Sequence, residues 1–180
     1  MSNTKLIARN TIFLYIRMLL TMGVTLFTSR IVLEVLGIED FGIYTLVGGI
    51  VSLFSFFNSA MTSATQRFLT FDIGNNNLSQ LKKTFNATLN IHIVIALVFF
   101  LLAETIGFWF VNNKLNINVD RMAAVNWVYQ FSVISFIVGI IQVPYDALII
   151  SNEKMKVYAY MSILEVSIKL LVVYLSLIHI

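Results

Sequence analysis

Residues 41–71 read FGIYTLVGGIVSLFSFFNSAMTSATQRFLTF, an apolar run whose one charged side chain is Arg67. Its polar members are not scattered. At about 100° per residue on a helical wheel, Tyr44, Thr45, Gly48, Ser52, Ser55, Ser59, Thr62, Ser63 and Gln66 fall within an arc of about 100°. A helix surrounded by lipid has no use for such a stripe, whereas helices that jointly wall a wet cavity in a bilayer need one. The same stripe also suits close packing between membrane helices, where small and hydroxyl residues permit near approach and cross-helix hydrogen bonds. Both readings stay open for any one stripe.

The rest of the chain supports the membrane setting. Of its 180 residues 58% are hydrophobic and 12% charged, with a mean hydropathy of +0.86. Soluble domains carry roughly 25% charged residues, so too few charges are present to cover this much apolar surface in water. The 15 Phe and 7 Tyr suit lipid contact and interfacial anchoring. The sequence contains no cysteine, so a disulfide framework and a thiolate metal site are excluded. His92 and His179 stand far apart, and neither a metal nor a cofactor is expected.

Five transmembrane helices are expected, at about 10–36, 41–71, 81–111, 121–150 and 157–180. Each exceeds the ~20 residues that a ~30 Å hydrocarbon core requires, which implies tilt or overhang. Short polar connections at 37–40, 72–80, 112–120 and 151–156 make successive helices antiparallel neighbours. The lone proline, Pro144, is expected to kink or end the fourth helix. Lys5, Arg9, Arg67, Lys82, Lys83, Lys154 and Lys156 fall on one side of the membrane, against Lys114 and Arg121 on the other, which sets the N-terminus in the cytoplasm. The first span is too long for a signal peptide and has no small-residue cleavage site. The chain stops inside its fifth span and is read as truncated there; residues 176–180 resemble a translated sequencing adapter.

Other spans carry stripes too. Asn10, Arg17, Thr21, Thr25 and Thr28 share one face of the first helix, and Ser132, Ser135, Gly139, Gln142 and Asp146 one face of the fourth. Tyr158, Ser162, Glu165 and Lys169 align on the fifth, while Asn86, Asn90 and Glu104 form a poorer stripe on the third. A charge at mid-bilayer costs roughly 2.5–3.5 kcal/mol on the lenient scale, so ionisable members must face protein or water. Arg17 either serves a cavity or snorkels to the cytoplasmic surface. Arg30 and Glu34, four residues apart, read as a structural ion pair. Glu165 and Lys169 have the same spacing and read either as mutual neutralisation or as a coupling pair. Glu104 is a protonatable site or a residue at the outer interface, Asp146 belongs at the cytoplasmic mouth, and His92 is a packed or interfacial histidine. Trp109, Trp127 and Tyr129 fall where an outer aromatic belt is expected. Phosphate loops, a Gly-x-Ser-x-Gly elbow and a His-Glu-x-x-His pair are all missing, so no enzyme is expected.

Several segments carry a family resemblance: Asn10-Thr11, residues 29–33 (SRIVL), residues 36–44 (LGIEDFGIY), residues 63–69 (SATQRFL), residues 126–131 (NWVYQF) and residues 142–145 (QVPY). Over essentially its whole length the chain resembles the multidrug/oligosaccharidyl-lipid/polysaccharide exporter superfamily, and within it the Wzx-like flippases. That resemblance implies an all-α polytopic fold, here five antiparallel helices of an incomplete N-terminal six-helix bundle. It further implies alternating access in a bacterial inner membrane, with a polyprenyl-diphosphate-linked oligosaccharide as substrate. A proton or sodium ion is the implied coupling partner, and no nucleic acid is involved. A diphosphate needs a cation, and guanidinium grips phosphate oxygens in a two-pronged fork, which makes Arg17 the expected diphosphate contact. The other expected cavity residues are Thr21, Thr25, Ser52, Ser55, Ser59, Gln66, Ser135 and Gln142, with Glu165 and Lys169 as coupling residues. A cation-coupled multidrug antiporter is the alternative within transport, and a non-transporting membrane assembly subunit is the alternative outside it.

Overall fold

Apolar residues at helical spacing, one proline and almost no β-turn chemistry leave the chain little to build but helices. The computed structural model describes residues 3–52, 55–115 and 117–178; the side chains of 3–7, 9, 55–57, 119 and 176–178 also lie outside that description. All its regular elements there are helical. Helix α1 is Asn3–Ser52, α2 is Ser55–Gly74, α3 is Leu78–Lys114, α4 is Met122–Ser151 and α5 is Met155–Ile178.

Among the described residues, four stretches are long and apolar enough to cross a membrane: Asn10–Ser52, Leu78–Lys114, Met122–Ser151 and Met155–Leu175. The first of these takes in the expected first helix and the start of the expected second, and the expectation corrected there is the loop between them. The 43 residues of Asn10–Ser52 far exceed one ~30 Å crossing, and Gly37 divides them. Gly37 has φ 73° and ψ 173°, a region open essentially to glycine alone. This one residue absorbs the change of direction that the sequence assigns to a loop at 37–40, and Ile38, Glu39 and Asp40 remain helical. The expected second helix, 41–71, falls on the end of α1 and on α2. Residues 53–54 between them lie outside the described residues.

Elsewhere the connections tighten. Asn77 caps α3 by accepting a 3.0 Å bond from the Gln80 N–H, and Asn76 takes φ 51°, so the link from α2 is only a turn. The fourth link is also a turn, with Glu153 at φ 56°. Pro144 does not end its helix: α4 runs through it to Ser151, and the ring is fully buried. Helix α3 contains a one-turn π bulge at Ala103–Gly107, which no periodicity in the sequence announces.

The chain forms two compact units. The first combines Met1–Phe41 with Asn152–Ile180. Its buried residues are small or polar, Thr28, Ala159 and Ser162, whereas Leu19, Leu26, Phe27 and Tyr174 are more than half exposed. That is the inverse of a soluble domain, and it suits a helix pair whose solvent is lipid. The second unit, Gly42–Ser151, sets α4 against both α2 and α3. Its core consists of Val47, Val51, Val111, Val125, Tyr129 and Val133. Large apolar side chains such as Leu97, Ile106, Trp127 and Phe131 point outward here as well.

Candidate functional site

In the second unit, polar residues of three helices line one open cleft of about 610 Å³. Tyr44, Gly48 and Ser52 come from the end of α1, Asn58 from α2, and Ser132 and Ser135 from α4. Helical spacing puts Tyr44, Gly48 and Ser52 on one line, because each step of four residues advances only about 40°. Gly139, one turn beyond Ser135, keeps α4 thin at the cleft; a Cβ there would lie 3.8 Å from the Asn58 amide nitrogen. The stripes at 44–52 and 132–139 therefore converge on one surface.

Two of the cleft's hydroxyls are already held. Ser52 Oγ donates to Gly49 O at 2.8 Å and Ser132 Oγ to Val128 O at 2.8 Å. Each hydroxyl keeps its lone pairs for another donor. Asn58 differs, because its Oδ1 is shut off from solvent and has no hydrogen-bond partner. Sequence reasoning missed Asn58, although it lies only about 40° outside the stripe on the wheel.

Arg17 belongs to the first unit. Its Nε donates to Ser162 Oγ at 2.6 Å, and its guanidinium carbon lies 4.1 Å from the centroid of the Tyr158 ring. The faces of α1 and α5 that the sequence marks as polar thus meet each other, and Asn10 Nδ2 extends the seam by donating to Glu153 O at 3.4 Å. Stacking on an aromatic ring holds a guanidinium flat and leaves its edge for oxygens. Among the described residues, no carboxylate pairs with Arg17. Thr21, Thr25 and Thr28 return their hydroxyls to the carbonyls of Arg17, Thr21 and Val24 on their own helix.

Of the other expected residues, Gln142, Gln66 and Ser59 are not among the described residues that line the cleft. Gln142 Nε2 donates to Asp146 Oδ2 at 3.2 Å on the exposed side of α4. The Gln66 carbonyl accepts from Ser151 Oγ at 3.3 Å, and Ser59 is exposed. The side chain of Ser55 lies outside the described residues. Glu165 and Lys169 are both exposed, and of the two readings of that pair mutual neutralisation is not seen as a salt bridge, unlike Arg30–Glu34 at 2.9 Å. Four residues apart on a helix is within reach but does not oblige a contact.

Tyr129 corrects a second expectation. It is 1% exposed, not an interfacial belt residue, whereas Trp109 and Trp127 are more than half exposed. Its hydroxyl donates to Ala103 O at 2.8 Å, at the start of the π bulge, and that carbonyl also accepts from the Phe108 N–H. Beside it Gln130 Nε2 donates to Glu104 Oε2 at 3.1 Å, while Glu104 Oε1 is buried without a partner. His92 is 2% exposed, with Nδ1 2.8 Å from Thr88 O and Nε2 unpartnered. Among the described residues, no three His, Asp or Glu side chains gather as a metal site would require.

Comparison with protein-family models, with curated proteins and with solved structures finds no match to this chain.

Proposed function

We propose that this chain is part of a membrane transporter, a flippase that carries a polyprenyl-diphosphate-linked oligosaccharide across a bacterial inner membrane by alternating access, with its N-terminus in the cytoplasm. The observation that carries the reading is the cleft: hydroxyl and amide groups from α1, α2 and α4 meet on one surface of an otherwise outward-apolar bundle. A glycan offers many hydroxyls, each both donor and acceptor, and such a lining answers them without fixed charge. Among the described residues, the cleft wall contains no acidic side chain, which favours an uncharged polyol over the cation that an antiporter would take. Arg17, stacked and without a carboxylate partner, suits the diphosphate.

One observation favours the non-transporting alternative. Ser52 and Ser132 are satisfied by their own helices, as hydroxyls in a mere packing seam would be. Water access separates the two readings. Ser52→Cys and Ser135→Cys should react with a membrane-impermeant, hydrophilic thiol reagent in intact vesicles, while Leu97→Cys on the outer apolar face should not. Unreactive cysteines at both serine positions would refute the wet cleft and leave the packing seam. In cells expressing the full-length gene product, Arg17→Ala should abolish glycan export at unchanged membrane abundance; normal export would remove Arg17 from the mechanism.

A further inference from the structure

A second cavity adjoins the polar cleft, with a wall of opposite character. Its volume is about 490 Å³, and Ile50, Phe99, Leu102, Ile106, Phe110 and Ile137 contribute large apolar side chains to its wall. Val51 and Phe136 line both cavities, so the two share a wall. Among the described residues, the one polar side chain at the apolar cavity, Tyr129, already donates its hydroxyl to Ala103 O. A buried water needs two to four polar partners, so water is a poor occupant. The π bulge shapes the place: Ala103, Ile106 and Gly107 all lie in it and all face the cavity. Leu102, Ile106 and Phe110 are also 45%, 63% and 40% exposed, so this wall opens onto the apolar outer surface of α3.

We propose that this cavity seats the hydrocarbon chain of a single-chain amphiphile whose hydroxyl-rich head occupies the adjoining polar cleft. The assignment of the head rests on the transport reading above; the seat for the chain does not. Polarity decides the class of ligand, because an apolar pocket and a hydroxyl-lined cleft meeting at Val51 and Phe136 match a molecule that changes character along its length. Volume decides the number of chains. An apolar cavity of roughly 150 Å³ takes one benzene, so this one holds on the order of 15–20 carbons, enough for one chain and too few for the two of a phospholipid. The lateral opening lets that chain enter from the bilayer core without crossing a polar layer.

The test uses the full chain in phosphatidylcholine vesicles with an alkyl maltoside bearing a diazirine at the end of its tail. Irradiation should label Phe99, Phe136 or Ile137, and excess unlabelled alkyl maltoside should suppress the labelling while added phosphatidylcholine should not. Ile137→Trp, which fills the cavity, should lower labelling about tenfold, the loss expected when roughly two methylenes leave their seat. Ile50→Trp should act alike if Ile137→Trp folds poorly, and Leu97→Trp on the outer face should change nothing. Labelling that persists in both filled variants, or that phosphatidylcholine suppresses as well as the maltoside does, overturns the proposal. If that happens while Ser52→Cys remains reactive to the hydrophilic reagent, the chain seat fails and the transport reading stands. Tail labelling that behaves as expected beside an unreactive Ser52→Cys supports the seat and sinks the transport reading alone.

Discussion

Replacing Gly107 by alanine would place a methyl group where the Tyr129 hydroxyl now sits. That hydroxyl must then leave Ala103 O, or the π bulge must shift. Crowding a well-packed site costs about 1–3 kcal/mol. Losing a neutral hydrogen bond adds about 0.6–1 kcal/mol, at the low end because Ala103 O keeps the Phe108 N–H. Alanine's helix propensity over glycine returns about 1 kcal/mol, for a net loss of about 1–3 kcal/mol. Tyr129→Phe alone should cost only the hydrogen bond, about 0.6–1 kcal/mol. In the double variant the hydroxyl is gone, and the nearest remaining atom, ring Cζ at 3.2 Å, needs to give by a few tenths of an ångström. The gain in propensity then offsets the lost bond, and the double variant should lie within about 1 kcal/mol of the parent, a coupling of about 2–4 kcal/mol. Unfolding by SDS titration in detergent micelles measures all four proteins. Additivity within about 0.5 kcal/mol would refute the placement of the tyrosine under the bulge.

Two further perturbations address the helix joints. Gly37→Ala meets no neighbouring atom, so its expected loss of about 1–3 kcal/mol in the same titration comes from backbone conformation alone, while Gly23→Ala, in regular helix and equally open space, should be neutral or gain up to about 1 kcal/mol. Equal effects at the two sites would show that Gly37 is an ordinary helical residue. Thr84→Val removes the hydroxyl that donates to Asp72 Oδ2 and ties α2 to α3; with Asp72 only 7% exposed, a loss of about 1–3 kcal/mol is expected, and an unchanged midpoint would dissolve the contact.

Much of this arrangement is legible in the residues, for reasons that can be named. Helices α4 and α5 begin within two residues of their expected starts, because continuous apolar runs bounded by polar turns offer the backbone no competing structure. The stripes at Tyr44–Gly48–Ser52 and Ser132–Ser135–Gly139 are also readable, since a period of 3.6 fixes which side chains share a face. Periodicity does not say which face meets which. The Arg17 stripe could have lined a cavity with any neighbour, and only packing shows it against Tyr158 and Ser162. Likewise Glu165 and Lys169 have the spacing of an ion pair without its contact.

What the residues alone determine here is chemical class: too few charges for water, helices of bilayer length, and polar stripes along them. Those are local properties, set by side-chain solvation and the helical repeat. The π bulge, the burial of Tyr129 beneath it, the Asn58 amide in the cleft and the shared wall of Val51 and Phe136 are decided only in three dimensions. Each depends on atoms dozens of residues apart competing for the same space or the same hydrogen bond, and no pattern within a single helix encodes that competition.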